Sequence, residues 1–281
     1  DYLLMHHYPE CQDADDPYLA LFAAISERTA KLVAHWQAIG FCHGVLNSDN
    51  ISILGLTIDY GPFGFLDAFD PTHICNHSDN QGRYSFKNQP SVGLWNLNAL
   101  ATALTSLISN ENLVRALKQY EPEFLNQFRN IMASKIGLEE YQPEDEQLIN
   151  QLLEIMQTNN VDYTIFFRQL ADYSADNPSI RDQFIDRESF DTWAKKYSQR
   201  LQQQSSSEQQ RHQQMQSVNP KYVLRNYMAQ AAIDAAQQGD YTEVNLLLEV
   251  LQAPFAEHPQ AEKYAGLPPD WAEQISVSCS S

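Results

Sequence analysis

Apolar residues recur at three- and four-residue spacing through most of the chain, a pattern that predicts a mainly helical protein. Asp16-Pro17 offers a cap followed by a proline at the first helical position. Tyr18, Leu21, Phe22, Ile25, Leu32, Val33 and Trp36 then repeat along one face until Gly40. A further amphipathic helix is expected from Ser91, with Leu94, Trp95, Leu97, Leu100, Ala101, Leu104, Leu107 and Ile108 as its packing face. Leu113 to Ile136, Glu144 to Asn159 and Tyr163 to Tyr173 read as three more helices. Asn219-Pro220 repeats the cap-plus-proline start with Gly239 as its stop, and Asp240 with Glu243 resembles a capping box for the helix after it. Gln202 to Gln216 is rich in Gln and Ser, which fits either an exposed helix or a flexible connection. Pro254, Pro259 and Pro268-Pro269 break the final segment into turns, and no internal repeat is present.

The helical period fails between Gly40 and Ser91, and the candidate chemistry lies there. Ile51-Ser52-Ile53-Leu54-Gly55-Leu56-Thr57-Ile58 is apolar and partly β-branched, and reads as a short buried strand. Before it stands His43-Gly44-Val45-Leu46-Asn47-Ser48-Asp49-Asn50, and after it Asp59-Tyr60-Gly61. A Gly-, Pro- and Phe-rich turn region, Pro62 to Pro71, follows, and then a polar loop, His73 to Phe86, that contains Arg83. Mg²⁺ takes oxygen ligands in a tight octahedron and usually recruits one or two protein carboxylates or amides alongside substrate phosphates and water. Asn50 and Asp59 meet that demand, and a strand between them would hold Asp59 against the loop carrying Asn50. Asp49 could receive a proton from an attacking hydroxyl.

The order of these residues is that of a protein kinase, where a His-Arg-Asp loop is followed by Asn at the seventh position after the His, and later by Asp-Phe-Gly. The His-to-Asn step is kept from His43 to Asn50. The position of the kinase base is Val45, and the acid stands instead at Asp49, so transfer to a hydroxyl by the ordinary kinase route is not the natural reading. Asp and Asn also favour loops for their own sake, which would explain an isolated pair. The full run of His, Asp, Asn, apolar segment and Asp-Tyr-Gly favours a catalytic role. Arg83 could contact a phosphate or a protein substrate, or form a salt bridge to one of the many acids.

Charge narrows the partners. A formal net charge of -18 argues against nucleic acid or an anionic membrane surface, since both need a basic footprint. ATP stays admissible, because a local pocket with a metal ion handles a nucleotide. No apolar run is long enough for a transmembrane helix, and the first residues lack a basic signal-peptide start. Cys11, Cys42, Cys75 and Cys279 are too few for a disulfide scaffold and are not spaced for zinc. Cys42 is expected in the core and Cys279 in a polar tail. His6, His7, His73, His77 and His258 show no metal-ligand spacing and are read as ordinary polar or core residues.

The segments GFCHGVLNSDNISILGLTIDYGPFGFLDAFDP, ICNHSDNQGRYSF and QPSVGLWNL resemble the SelO family of protein adenylyltransferases, formerly grouped as YdiU. The likeness extends from HHYPE near the start, through NPKYVLRNYMAQAAI, to PPDWAEQISVSCSS at the end. It implies a protein-kinase-like C-terminal lobe, mainly α with a small β element, over residues 1–130. Residues 131–281 would form a helical C-terminal extension of the same domain, with a flexible stretch near 202–216. It also implies AMP transfer from ATP to Ser, Thr or Tyr hydroxyls of other proteins, with Mg²⁺ or Mn²⁺ as cofactor and pyrophosphate released. By position it assigns Asp49 as proton acceptor, Asn50 and Asp59 as metal ligands, Asp59 also to ATP, and His43 to bracing the loop. A reversible Cys75–Cys279 disulfide is suggested by the selenocysteine that some family members carry near their C terminus, with two free thiols as the alternative. A cytoplasmic setting in a bacterium, or a mitochondrial one in a eukaryote, would follow.

The Gly-rich loop, the Lys-Glu pair and the phosphate-gripping Arg residues of the family's N-terminal lobe are not found upstream of His43. The expectation is therefore a fragment that is inactive alone. A γ-phosphate kinase and a catalytically dead pseudokinase scaffold are the alternatives.

Overall fold

The computed structural model describes residues 1–174 and 179–278. It is mainly helical, as the periodicity predicts, with one two-stranded sheet among the described residues. After α1 (Tyr2–His7), the long α2 (Pro17–Ile39) forms the spine of the first half. Its ends follow the local chemistry: Asp16 Oδ1 accepts from Leu19 N–H at 3.1 Å, Pro17 occupies the first turn, and Gly40 stops the helix at φ +73°. β1 (Phe41–Cys42) pairs antiparallel with β2 (Gly64–Phe65), so the intervening loop leaves and returns at one edge. Then come α3 (Gln89–Ala103), α4 (Asn110–Leu117) and α5 (Tyr120–Lys135), the last packed along α2. The remaining helices are α6 (Asp145–Thr158), α7 (Tyr163–Gln169), α8 (Arg187–Leu201), α9 (Glu208–Val218), α10 (Asn226–Gln237) and α11 (Thr242–Gln252).

Four expectations are corrected. The strand over Ile51–Ile58 does not form. Gly55 N–H closes a turn on Ser52 O at 3.2 Å, and Gly55 sits at φ +69° against Arg28, where a Cβ would stand 2.9 Å from the Arg28 Cβ. The turn divides the run: Ile53 and Leu54 pack beside Leu4, Tyr8 and Leu21, whereas Leu56 and Ile58 are exposed. A strand also needs a neighbour, and among the described residues no segment pairs with this one. The single helix expected over Leu113 to Ile136 is two, because Pro122 lacks an N–H and would clash with the carbonyl four residues back, so it is confined to the first turn of a new helix. Asn219-Pro220 does not start a helix: the Asn219 amide donates to Lys135 O at 2.8 Å, and α10 begins at Asn226. The Asp240/Glu243 capping box is absent, since Glu243 is drawn away to Lys263 at 2.6 Å and to the Tyr264 hydroxyl. Within the Gln- and Ser-rich stretch, Ser207 and Gln210 form a capping box for α9, which buries Arg211 and Met215.

The largest apolar cluster joins α5 to α8 and includes Met132, Leu152, Phe166, Phe167, Trp193 and Tyr197. Within it Lys135 is 2 % exposed, its ammonium 4.2 Å from the Phe167 ring centroid and 5.3 Å from that of Tyr163. Burial pulls this amine down to about 7. The folded value lies below the unfolded one of roughly 10.4. The cost of burial is therefore complete below about pH 7 and fades as pH rises toward the unfolded value. Replacing the amine by a thioether of similar length, Lys135→Met, is expected to stabilise the chain by roughly 2 kcal/mol at neutral pH, after about 1–2 kcal/mol for the lost cation–π contact. Urea unfolding at pH 7 and near pH 10 checks this, and a gain that does not shrink at the higher pH refutes it.

Candidate functional site

The site is built on the four residues that follow the sheet's first strand. His43 is buried, its backbone N–H donates to Gln89 Oε1 at 2.8 Å, and its Nε2 lies 2.8 Å from Ile58 O. Burial lowers its basicity against the opposing pull of the Ile58 carbonyl and Asp59, which suits a neutral ring donating from Nε2. The imidazole thus fixes the residue directly before Asp59. Val45 O accepts from Asn50 Nδ2 at 2.9 Å, and Leu46 O accepts from Asn96 Nδ2 at 3.0 Å. Both legs of the loop, one carrying Asp49 and Asn50 and the other Asp59, are therefore tied to one short segment, His43–Leu46.

The donor atoms fit a hard cation. With the Asn50 nitrogen engaged by Val45, its amide oxygen is the atom left to ligate. Asp59 is exposed and left-handed at φ +56°, and Gly61 N–H folds back on its carbonyl at 2.8 Å. Asn50 and Asp59 together offer the mixed amide and carboxylate oxygens that Mg²⁺ accepts. Asp49 is exposed in the same loop. No group of three or more His, Cys, Asp or Glu that could hold a metal occurs among the described residues, so a cation here would rely on an amide ligand and on substrate oxygens. The chain on both sides of β2 is pressed against this segment. Gly44 sits at φ +80°, where a Cβ would stand 2.6 Å from both Pro62 O and Cys75 Sγ.

Cys75 is buried, and its thiol points to Cys42 O at 3.4 Å. Contact with Cys42 and burial both push the Cys75 thiol up. Cys279 lies outside the described residues. The tail nevertheless reaches this loop, where His77 N–H donates to Val277 O at 2.9 Å. Arg83 forms no ion pair among the described residues, and its guanidinium lies 4.8 Å above the Trp95 ring. An apolar cleft of about 500 Å³, with Trp36, Phe41, Tyr60, Phe63, Tyr222 and Phe255 among its lining, adjoins Tyr60 of the Asp-Tyr-Gly turn.

Several residues that hold the site carry no motif. Gln89 spans both ends of β1, accepting from His43 N–H and donating to Phe41 O at 2.9 Å. Asn76 donates to Gly44 O at 3.2 Å, Tyr84 donates to Asn47 Oδ1, and Trp36 Nε1 donates to Thr57 Oγ1 at 2.9 Å. One signal was available in the sequence. Gln89 and Asn96 stand seven residues apart, two amides interrupting the apolar face of α3, and a buried amide must find a partner.

The chain matches the family model described as "Protein adenylyltransferase SelO" over residues 1–252. It is 50 % identical over 286 residues to "Protein nucleotidyltransferase YdiU" of Herminiimonas arsenicoxydans, covering 100 % of this chain and 57 % of that protein. The protein of the same name from Pseudomonas fluorescens (strain Pf0-1) is 51 % identical over 284 residues, and that of Aliivibrio salmonicida (strain LFI1238) 49 % over 282, each match covering all of this chain and 58 % of the relative. The chain therefore spans well under two thirds of the length of these relatives. A family model matching most of the chain, together with relatives about half identical over all of it, shows that the chain belongs to the SelO family.

Proposed function

We propose that the protein containing this chain is a protein adenylyltransferase, with residues 1–130 forming the core of a kinase-like C-terminal lobe and residues 131–281 its helical extension. The observation that carries the reading is the common anchoring of both legs of the loop on His43–Leu46, which holds Asn50 and Asp59 in fixed relation without a strand between them. In the proposed reaction a Ser, Thr or Tyr hydroxyl oxygen of an acceptor protein attacks the α-phosphorus of ATP. The bond to the bridging oxygen breaks, pyrophosphate leaves, and the hydroxyl proton passes to Asp49. Asn50 and Asp59 would hold Mg²⁺ or Mn²⁺, which when bound supplies charge neutralisation at the phosphates. Asp59 also faces the nucleotide, and His43 keeps it there through Ile58. Most of the rate would come from positioning and from fixed charge. The remaining length of the relatives would supply the basic groups for the triphosphate, so this chain alone is expected to be inactive.

The test uses the full-length protein with Mg²⁺ and ATP labelled at the α or the γ phosphate. Label reaching protein from α only supports adenylyl transfer. Transfer from γ restores a kinase, and no transfer from either favours a scaffold.

The same reading includes a reversible Cys75–Cys279 disulfide, formed when two thiols give two protons and two electrons to oxidised glutathione. The contact between His77 and Val277 supports it by bringing the tail to the Cys75 loop. Oxidised full-length protein should yield a Cys75–Cys279 peptide that dithiothreitol splits, and recovery of both thiols unpaired after oxidation refutes the pair.

A further inference from the structure

Cys42 and Cys75 meet at the base of the candidate loop. Cys42 ends β1 opposite Gly64, and Cys75 Cβ lies 3.5 Å from where a Gly64 Cβ would stand, so Cys75 packs on the sheet beside Cys42. The Cys75 sulfur lies 3.4 Å from the Cys42 carbonyl oxygen and against the Cys42 thiol. Both residues are free thiols, exposed by only 4 % at Cys75 and 0 % at Cys42. Thiols already in contact need little backbone movement to reach disulfide geometry.

The pair brackets the chemistry. Its members stand 33 residues apart, and His43, Asp49, Asn50 and Asp59 all lie between them. It also touches the loop directly. A Gly44 Cβ would stand 2.6 Å from Cys75 Sγ, and Asn76, next to Cys75, donates to Gly44 O at 3.2 Å. A bond between the two sulfurs would close a covalent ring around the candidate residues at the point where their loop leaves the sheet.

Access decides how such a bond forms. Thiols this buried offer oxidised glutathione no line of attack. The tail supplies another route. His77 N–H donates to Val277 O at 2.9 Å, and these residues stand two positions after Cys75 and two before Cys279.

We propose that Cys42 is a second partner of Cys75, and that a Cys75–Cys279 disulfide passes to Cys42–Cys75 by thiol–disulfide exchange, which releases the tail and locks the base of the loop. The proposal rests on the tail disulfide in the reading above and adds a regulatory step to it. The Cys42 thiolate attacks the Cys75 sulfur, and the new bond forms as the Cys75–Cys279 bond breaks. The electron pair of the broken bond leaves on Cys279, which takes up a proton in place of the one Cys42 gave to water. No further oxidant is consumed, because the two electrons already went to glutathione when the tail disulfide formed.

The test treats full-length wild type, Cys42→Ala and Cys279→Ser with oxidised glutathione, quenches portions over time with acid and N-ethylmaleimide, and maps disulfide peptides by mass spectrometry. Circular dichroism verifies that each reduced variant folds. In wild type the Cys75–Cys279 peptide is expected first, followed by Cys42–Cys75 with Cys279 again free. Cys42→Ala should hold Cys75–Cys279 as its end product. Cys279→Ser should form Cys42–Cys75 at a rate about tenfold or more below wild type.

Wild type that keeps Cys42 free while Cys75–Cys279 forms overturns the exchange and leaves the tail disulfide standing. Equal rates of Cys42–Cys75 formation with and without Cys279 overturn the exchange as well. Absence of both disulfides from oxidised wild type removes the exchange and the tail disulfide together. Adenylyl transfer is read separately, by the labelled-ATP experiment, and stands or falls alone.

Discussion

Full-length protein carrying Asp59→Asn is expected to lose AMP transfer by on the order of 10³-fold, with stability unchanged to within about 0.5 kcal/mol. The choice of asparagine follows from the backbone. Asp59 stands at φ +56°, a conformation that Asn tolerates well, whereas alanine would add roughly 1 kcal/mol of local strain. Its side chain is exposed, so the substitution removes one negative charge and little packing. The charge is what a cation and a triphosphate would register. ATP binding and label transfer from the α position, measured beside urea unfolding, separate the two effects. Retention of transfer within tenfold of wild type would remove Asp59 from the chemistry, and a matching loss of stability would recast it as structural.

The second large effect lies away from the loop. Arg225→Leu is expected to cost this chain about 3–5 kcal/mol of stability. Arg225 is buried and grips Asp162 through two bonds of 2.6 and 2.9 Å, and its Nη1 also reaches Asp67 at 2.6 Å. Asp162 is itself buried and caps α7, accepting from Ile165 N–H at 2.9 Å. Three remote pieces of chain therefore meet in one ionic knot: the segment after β2, the start of α7 and the entry to α10. Removing the cation strands a buried carboxylate, a larger loss than the pair's own net contribution. Adding Asp162→Asn to Arg225→Leu keeps a capping oxygen and removes the buried carboxylate, leaving only the more exposed Asp67 unpaired, so the double variant should recover part of the loss. Urea melts of the three proteins decide the matter: equal midpoints for Arg225→Leu and wild type would show that the knot is solvated in solution.

No pair within that knot is marked in the sequence, since Arg225 stands 63 residues from Asp162 and 158 from Asp67. The same holds for Lys135, which reads as one more surface lysine in a helix until α7 closes over it. By contrast, the order of the candidate residues is legible: His43, Asp49, Asn50 and Asp59 stand in a recognisable sequence, and contacts at His43 and Val45 anchor the loop that carries them. How they are held was not legible. A buried strand was the economical reading of Ile51–Ile58, yet the work falls to His43 on Ile58, Asn50 on Val45 and Asn96 on Leu46.

What the sequence determined by itself are features whose physics closes within about four residues. Asp16, Pro17 and Gly40 bound α2 because a cap, a fixed φ and a left-handed stop act on their immediate neighbours. The helical period, the acidity and the order of the candidate residues are likewise properties of the chain. Tertiary structure decided whatever needed a partner from elsewhere. An apolar run becomes a strand only when another edge is offered, and residues 51–58 have none among the described residues. Asn219 would cap a helix, but its side-chain nitrogen is tied to the carbonyl of Lys135 and the next helix begins only at Asn226. Glu243 would complete a capping box, but Lys263 and Tyr264 compete for it. In each case a local preference of about 1 kcal/mol was overruled by a contact that exists only once the chain has folded.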